Sequence, residues 1–540
     1  MEPTPSAPPT AEAPPTPPVE SAPARTRGRP SRRAVLGALG GAAVLGATVP
    51  WLLSPAELGR VIRSQLPLPE PFRVPLPVPP VLTPRREADT DHYEITQRVA
   101  RLEILPGVRT TVWGYDGLFP GPTIVSRAGR RTEVHHRNQL PVPTVVHLHG
   151  GITPAAHDGY PTDLVLPADG PGAGHDMAGM GDPDPDAVVT TGGRDYVYPL
   201  PQRAATLWYH DHRMGFTGAS VWRGLAGFHL VRDDEEDTLP LPGGERDIPL
   251  MITDRSFAAD GSFRYPALDP DALHTPGVRE EFRPGVLGDV VLVNGAPWPE
   301  LEVEAARYRF RLLNASNARR YRVALSPQPP GGAGLVQIGS DGGLLARPRR
   351  HEAIDLAPAE RFDVVVDFSR YRVGQRVVLR NLLGDGGTGQ VMRFHVVRRG
   401  RDDSRVPRRL SAEEPLSAGA VTRVRTFAFR ETRDGWTVNG RPFDAGHTDA
   451  EPRLGDTEMW RFVSDFHHPI HLHAAHFQVH ERNGRAPGAC DGGWKDTVDV
   501  RPAEAVSVLV RFTGYRGRFV YHCHNLEHED MAMMANLRVV

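Results

Sequence analysis

The chain has 540 residues, a formal net charge of −2, 39% hydrophobic residues, 54 prolines and 55 glycines. A charge this near zero leaves no footprint for nucleic-acid binding. Two cysteines, Cys490 and Cys523, cannot build a disulfide framework when one is wanted as a ligand, so stability must come from packed cores and bound metal.

In chain order, residues 1–30 form a disordered Pro-rich tail, with nine prolines in the first 24 positions and no hydrophobic periodicity. Residues 31–52 read SRRAVLGALGGAAVLGATVPWL. Arg32 and Arg33, followed by roughly 16 apolar, Gly/Ala-rich residues, resemble a twin-arginine export signal, and the stretch is short for a membrane span of about 20. It predicts a partner in the export machinery and an extracellular or cell-surface location. No A-x-A cleavage site follows, which leaves membrane retention as the alternative. Residues 65–87, beginning QLPLPEPFRVPLPVPPVLTP, are too rich in proline for regular structure and are predicted to lie extended across the surface.

Beyond that point short β-type runs alternate with Gly/Pro turns: TIVSRAG, TEVHHRN, TVVHLHGG, YRFRLLN, FDVVVDF and SVLVRF. No amphipathic helix of several turns is predicted, and the pattern is that of all-β sandwiches. The roughly 455 residues after the N-terminal region suit three domains of about 150.

The chain also repeats itself. VLVNGAPW (291–298) is echoed by WTVNGRPF (436–443), TVVHLHG (144–150) by HPIHLHA (468–474), and LWYHDH (207–212) by FVYHCH (519–524). Charged linkers then divide a first module, 88–236, from a second, 237–398, and a linker, 399–420, precedes a third, 421–540.

With 23 histidines, about one His-x-His pair is expected by chance. Four occur, His147/His149, His210/His212, His471/His473 and His522/His524, all in strand-like runs of the outer modules. Two pairs from each module can converge between domains, and imidazole suits copper. In FVYHCHNLEHEDMAMM the strand period of two puts His522 and His524 on one face and Cys523 on the other. One strand then serves two sites. A thiolate, two imidazoles and a distant thioether make a blue-copper centre, for which Cys523, His528 and Met533 are candidates. Met531 and Met534 compete for the thioether position, and His467 and His468 for the remaining imidazole.

HLHG, WYHDH, HPIHLH and HCHNLEHEDMAMM, in that order, resemble the four copper motifs of the multicopper oxidases. The segments HLHGGITPAAHDGYP, LLNASNARRYRV, IGSDGG, LAPAERFDVVVDF and GWKDT are similar to three-domain bacterial laccases of the spore-coat type, from about residue 90 to the end. The resemblance implies three cupredoxin-like Greek-key β-sandwich domains, the middle one without copper, and four coppers. The type 1 ion would take His468, Cys523, His528 and axial Met533. The type 2 ion would take His147 and His471, and the type 3 pair His149, His210, His212, His473, His522 and His524.

Resemblance also implies proton-handling roles for Asp158 and Glu529, each otherwise an ordinary loop acid, and the partners dioxygen and small aromatic electron donors such as phenols and aromatic amines. Bilirubin and o-aminophenol oxidases are the nearest alternatives, then a cuprous oxidase. A copper-free exported structural factor of the same fold is the non-enzymatic one. Met177 and Met180, in GHDMAGMGDPDPD, read as a flexible loop in preference to a cuprous site, and Cys490 as a free thiol.

Overall fold

The computed structural model describes residues 59–540 apart from 171, 173–183, 413, 414 and 434. The Pro-rich tail, the export-signal segment and Met177/Met180 lie outside the described residues.

Strand alternation is visible at once in Arg131–Gln139, where Thr132, Val134, His136 and Asn138 are buried while the residues between them face outward. It lies parallel to Thr90–Leu105 in a five-stranded sheet. A four-stranded sheet, Gly121–Arg127, Ala226–Arg232, Ala205–Asp211 and Val146–His149 in that order, faces it. Tyr93, Ile95 and Val134 from one sheet meet Leu148, Leu207 and Val231 from the other in one core.

Two further sandwiches follow. Between residues 247 and 399 a seven-stranded sheet packs on a five-stranded one around Leu250, Phe310, Val364 and Phe394. Between residues 421 and 539 a five-stranded sheet packs on the four strands Thr497–Val500, His468–Leu472, Gly517–Cys523 and Met534–Val539. Trp460, Phe462, Ile470 and Tyr521 fill that last core. The longest helix among the described residues, Thr217–Arg223, has seven residues.

Residues 65–84 hold no helix and only isolated bridges at Pro75 and Val81, and backbone bonds fix them. Leu76 N donates to Glu300 O at 2.8 Å and Leu82 N to Thr123 O at 2.9 Å. The last residues of the Pro-rich stretch, Arg85–Glu87, pair antiparallel with Thr90–Leu105, so the first sheet begins slightly before residue 88.

A buried charge cluster joins the first two sandwiches. Arg309 and Arg311, on a middle-sandwich strand, meet Glu236, Asp247 and Asp363, all at most 4% exposed. Burial works against the carboxylates of Glu236 and Asp247, but the guanidinium groups outweigh it and hold both below the usual carboxylate range.

Candidate metal centre

Cys523 ends the strand Gly517–Cys523, which runs antiparallel to His468–Leu472 with Ile470 opposite Cys523 and His471 opposite His522. This register carries the sulfur to one side of the sheet and the flanking imidazoles to the other. The Sγ atom lies 3.3 Å from His468 Nδ1 and 3.5 Å from His528 Nδ1, and the two nitrogens are 3.1 Å apart. All three residues are fully buried.

The outer nitrogen of His528 is hydrogen-bonded and that of His468 faces a carboxylate. His468 Nε2 lies 3.5 Å from Asp465 Oδ1, and His528 Nε2 donates to the Pro284 carbonyl at 3.2 Å. Both Nδ1 atoms are thereby left for a shared centre. Trp436 stacks on His528 with ring centres 3.8 Å apart. Met533 is held beside them by backbone bonds: Cys523 N donates to Met533 O at 3.1 Å and Met533 N to His528 O at 3.0 Å. One rival, Met531, borders the same apolar cluster that contains Cys523 and Met533. Met531 is half-buried against two apolar clusters, and Met534 pairs with His522 and packs on Tyr160 and Val520. His467 faces Asp499 at 4.0 Å.

Burial pushes the Cys523 thiol well above its ordinary value, so a metal cation is needed to displace its proton. One sulfur, two imidazoles and a neighbouring thioether form a donor set that fits copper.

The eight paired histidines meet between the first and third sandwiches. His147 stands opposite His210 across the pair Val146–His149 and Ala205–Asp211, and His471 opposite His522 across the other pair. Rings from the two sandwiches then stack face to face, His149 on His471 at 3.6 Å and His147 on His473 at 3.8 Å. Every one is at most 2% exposed. Two triads that share no residue, His149/His210/His524 and His212/His473/His522, have their donor nitrogens within 4.8 Å of one another, and a third, His147/His149/His471, overlaps the first. Between them His147 Nε2 and His471 Nε2 are 3.4 Å apart.

Hydrogen bonds at the back of six of the rings decide which nitrogen faces inward. Nδ1 donates to a main-chain carbonyl in His147 (Asp158 O, 2.6 Å), His210 (Asp211 O, 2.8 Å), His471 (Asp496 O, 2.9 Å) and His522 (Cys523 O, 3.1 Å). In His473 it donates to Asp158 Oδ2 at 2.7 Å, and in His212 it lies 3.4 Å from Glu529 Oε1. His149 is reversed, with Nε2 outward on Asp496 Oδ1 at 3.1 Å.

The inward atoms His149 Nδ1 and His210 Nε2, and both nitrogens of His524, have no hydrogen-bond partner. Each orphaned buried nitrogen costs about 1–3 kcal/mol. Burial lowers His210 to about 3 and His212 to about 4, so both are neutral at pH 7, as ligands must be. The residues therefore fit a group of metal ions.

Both acids singled out in the sequence border this cluster. Glu529 Oε2 lies 3.1 Å from His522 Nδ1. Burial would raise its carboxyl, but the surrounding imidazoles of His522 and His212 outweigh that and hold it below the usual carboxylate range. Burial raises Asp158 to about 8, against the Thr153 hydroxyl bonded to it.

Sequence reasoning gave no role to Trp436, Asp465, Asp496 or Arg361. The last two lie in GWKDT and LAPAERFD, where nothing but the resemblance drew attention to them.

A blue-copper-type donor set beside eight converging imidazoles, in a chain of cupredoxin-like sandwiches, defines the architecture of a multicopper oxidase. Family models described as multicopper oxidase match residues 97–168 and 393–540. The laccase of Bacillus stratosphericus is 36% identical, with 87% of this chain and 99% of that protein covered. A bilirubin oxidase of Albifimbria verrucaria is 34% identical over 86% of this chain and 80% of its own length. Among solved structures, the laccase of Pediococcus acidilactici superposes with a TM-score of 0.76 at 32% identity, covering 89% of this chain and 96% of that one. The chain belongs to the multicopper oxidase family, and it is a laccase-like copper oxidoreductase that uses dioxygen.

Proposed function

We propose that the protein oxidises phenols or aromatic amines one electron at a time and reduces dioxygen to water, with four coppers bound as the resemblance implies. His468, Cys523, His528 and Met533 hold the type 1 ion, His147 and His471 the type 2 ion, and the two triads the type 3 pair. When bound, copper supplies reversible one-electron chemistry at the first site and the multielectron reduction of dioxygen at the cluster.

The observation that carries this reading is the placement of Cys523 between His522 and His524. An electron received at the sulfur has a short covalent path through the main chain to two imidazoles of the cluster. Water formation consumes four electrons and four protons per dioxygen. Asp158 Oδ2 accepts from His473 Nδ1 on one side, and Glu529 stands between His212 and His522 on the other, so an acid borders the cluster at each flank to hand on protons. Burial of all eight rings keeps bulk water from the reacting centre.

Bilirubin and o-aminophenol are the alternative donors, the first favoured by the bilirubin oxidase among the relatives. The N-terminal Arg32–Arg33 segment supports export of the folded protein. The deciding experiment is copper quantitation with dioxygen uptake against phenols, aminophenols, bilirubin and cuprous ion. A fully loaded enzyme that consumes no dioxygen with any of them would refute the proposal.

A further inference from the structure

The middle sandwich contributes none of the eight imidazoles, yet it reaches their cluster. Arg361 begins the strand Arg361–Asp367 and is fully buried. Its Nη1 donates to Asp496 Oδ1 at 2.7 Å while Nη2 meets Oδ2, a two-pronged pairing of guanidinium with carboxylate. The remaining donors hold the fork in place: Nε bonds Thr206 O at 3.0 Å and Nη1 also bonds Ala359 O at 3.0 Å.

Asp341, of IGSDGG, braces both partners. Its Oδ1 accepts the Arg361 main-chain N–H at 2.7 Å, and Oδ2 accepts the Asp496 main-chain N–H at 3.4 Å and lies 3.0 Å from Lys495 Nζ. Gly150, directly after His149, has φ +85°, and a Cβ there would stand 2.6 Å from Arg361 Nη2 and 2.7 Å from Asp496 Oδ2. The main chain beyond His149 thus presses against the ion pair, an approach open only to glycine.

Asp496 Oδ1 also receives Nε2 of His149, the one ring of the eight held outward through that nitrogen. An ionised carboxylate can only accept, so it selects the tautomer with hydrogen on Nε2 and a lone pair on Nδ1. Thr497 Oγ1, 3.2 Å from the same Nε2, donates its own proton to Asp496 Oδ1 at 2.9 Å and reinforces the choice. Without this partner His149 could turn over or carry its proton on the inward nitrogen, where it could not ligate.

We infer that Arg361 and Asp496 are positioning residues for the copper cluster, through which the middle sandwich fixes His149 as an Nδ1 ligand beside His210 and His524. The inference rests on the reading that the eight imidazoles hold copper.

The test uses the full chain loaded with cupric ion. Asp496→Asn replaces one acceptor oxygen by an N–H₂ group, which must face either Arg361 or His149 donor to donor. Arg361→Lys keeps the charge and loses the fork. In both, the cluster should lose about 10–100-fold in copper affinity. Copper analysis, paramagnetic resonance and the near-ultraviolet band of the coupled pair would register the loss, while the visible band from Cys523 persists. If Asp496→Asn does not fold, as judged by loss of that visible band and of circular dichroism, Arg361→Lys decides. Wild-type copper content and cluster spectra in a folded variant would overturn the inference. A wild-type chain that binds copper at Cys523 and none at the imidazoles would overturn the reading beneath it and the inference together.

Discussion

Replacing Glu529 by glutamine changes almost no volume at a site that is 1% exposed, and removes both the charge and the ability to relay a proton. In the native protein its two oxygens lie 3.1 and 3.4 Å from the Nδ1 atoms of His522 and His212. His522 Nδ1 already donates to the Cys523 carbonyl, so the substitution removes the charge facing the two rings without costing that ring its hydrogen bond. A positioned acid–base group contributes about 10²–10⁴-fold in rate, and the lower value is expected because Asp158 remains. The reduced enzyme should therefore be reoxidised by dioxygen about 10²-fold more slowly, a barrier increase of about 2.7 kcal/mol. Single-turnover stopped-flow isolates this step. Anaerobic bleaching of the blue colour by a phenol should proceed at the wild-type rate, since the Cys523 site is untouched. Reoxidation within about twofold of wild type, with copper content intact, would remove Glu529 from proton handling.

Met533→Leu should raise the type 1 potential by removing the axial thioether, and an unchanged potential on redox titration would reject Met533 as a ligand. Cys523→Ser should abolish the blue colour and phenol oxidation while copper at the imidazole cluster remains detectable by paramagnetic resonance. Trp436→Ala removes a large side chain that is 2% exposed and stacked on His528, and should cost about 3–5 kcal/mol in denaturant unfolding of the copper-loaded protein. Glu236 and Asp247 are depressed in the folded state, so their stabilising contribution is complete above the unfolded carboxylate range and fades as pH falls through about 4 and below. Glu236→Gln, which breaks the cluster with Arg309 and Arg311, should lower stability by about 3–5 kcal/mol at pH 7 and flatten the acid limb of a stability–pH curve.

Much of the metal centre is legible in the sequence because strand geometry is local. A period of two is enough to put Cys523 and its flanking histidines on opposite faces, and repetition of HLH and YHxH identifies the strands that bear the rest. The separation of His467 from His468 is harder. His467 lies just before the strand and His468 opens it, and only the pairing of His468 with Val500 and the fold around Asp499 decide which ring turns toward sulfur.

The orientation of each ring is not legible at all. His149 and Asp496 are 347 residues apart, and Arg361 and Asp496 are 135 apart. Nothing in HLHG distinguishes a ring that must present Nδ1 from its neighbour that presents Nε2. The division of six histidines into His149/His210/His524 and His212/His473/His522 likewise depends on how two sandwiches meet. Trp436 escapes notice because WTVNGRPF reads as a plain strand and turn, and its neighbour His528 comes from the far end of the chain.

Four of the eight converging rings come from the strands around residues 147 and 210, and the last two, His522 and His524, from the final twenty residues. The cluster can therefore exist only after both sandwiches have folded and met, so loading with metal should follow that docking. Ions bound there would act as a clasp between the first and third sandwiches, and chelation should open that seam before it disturbs the middle of the molecule.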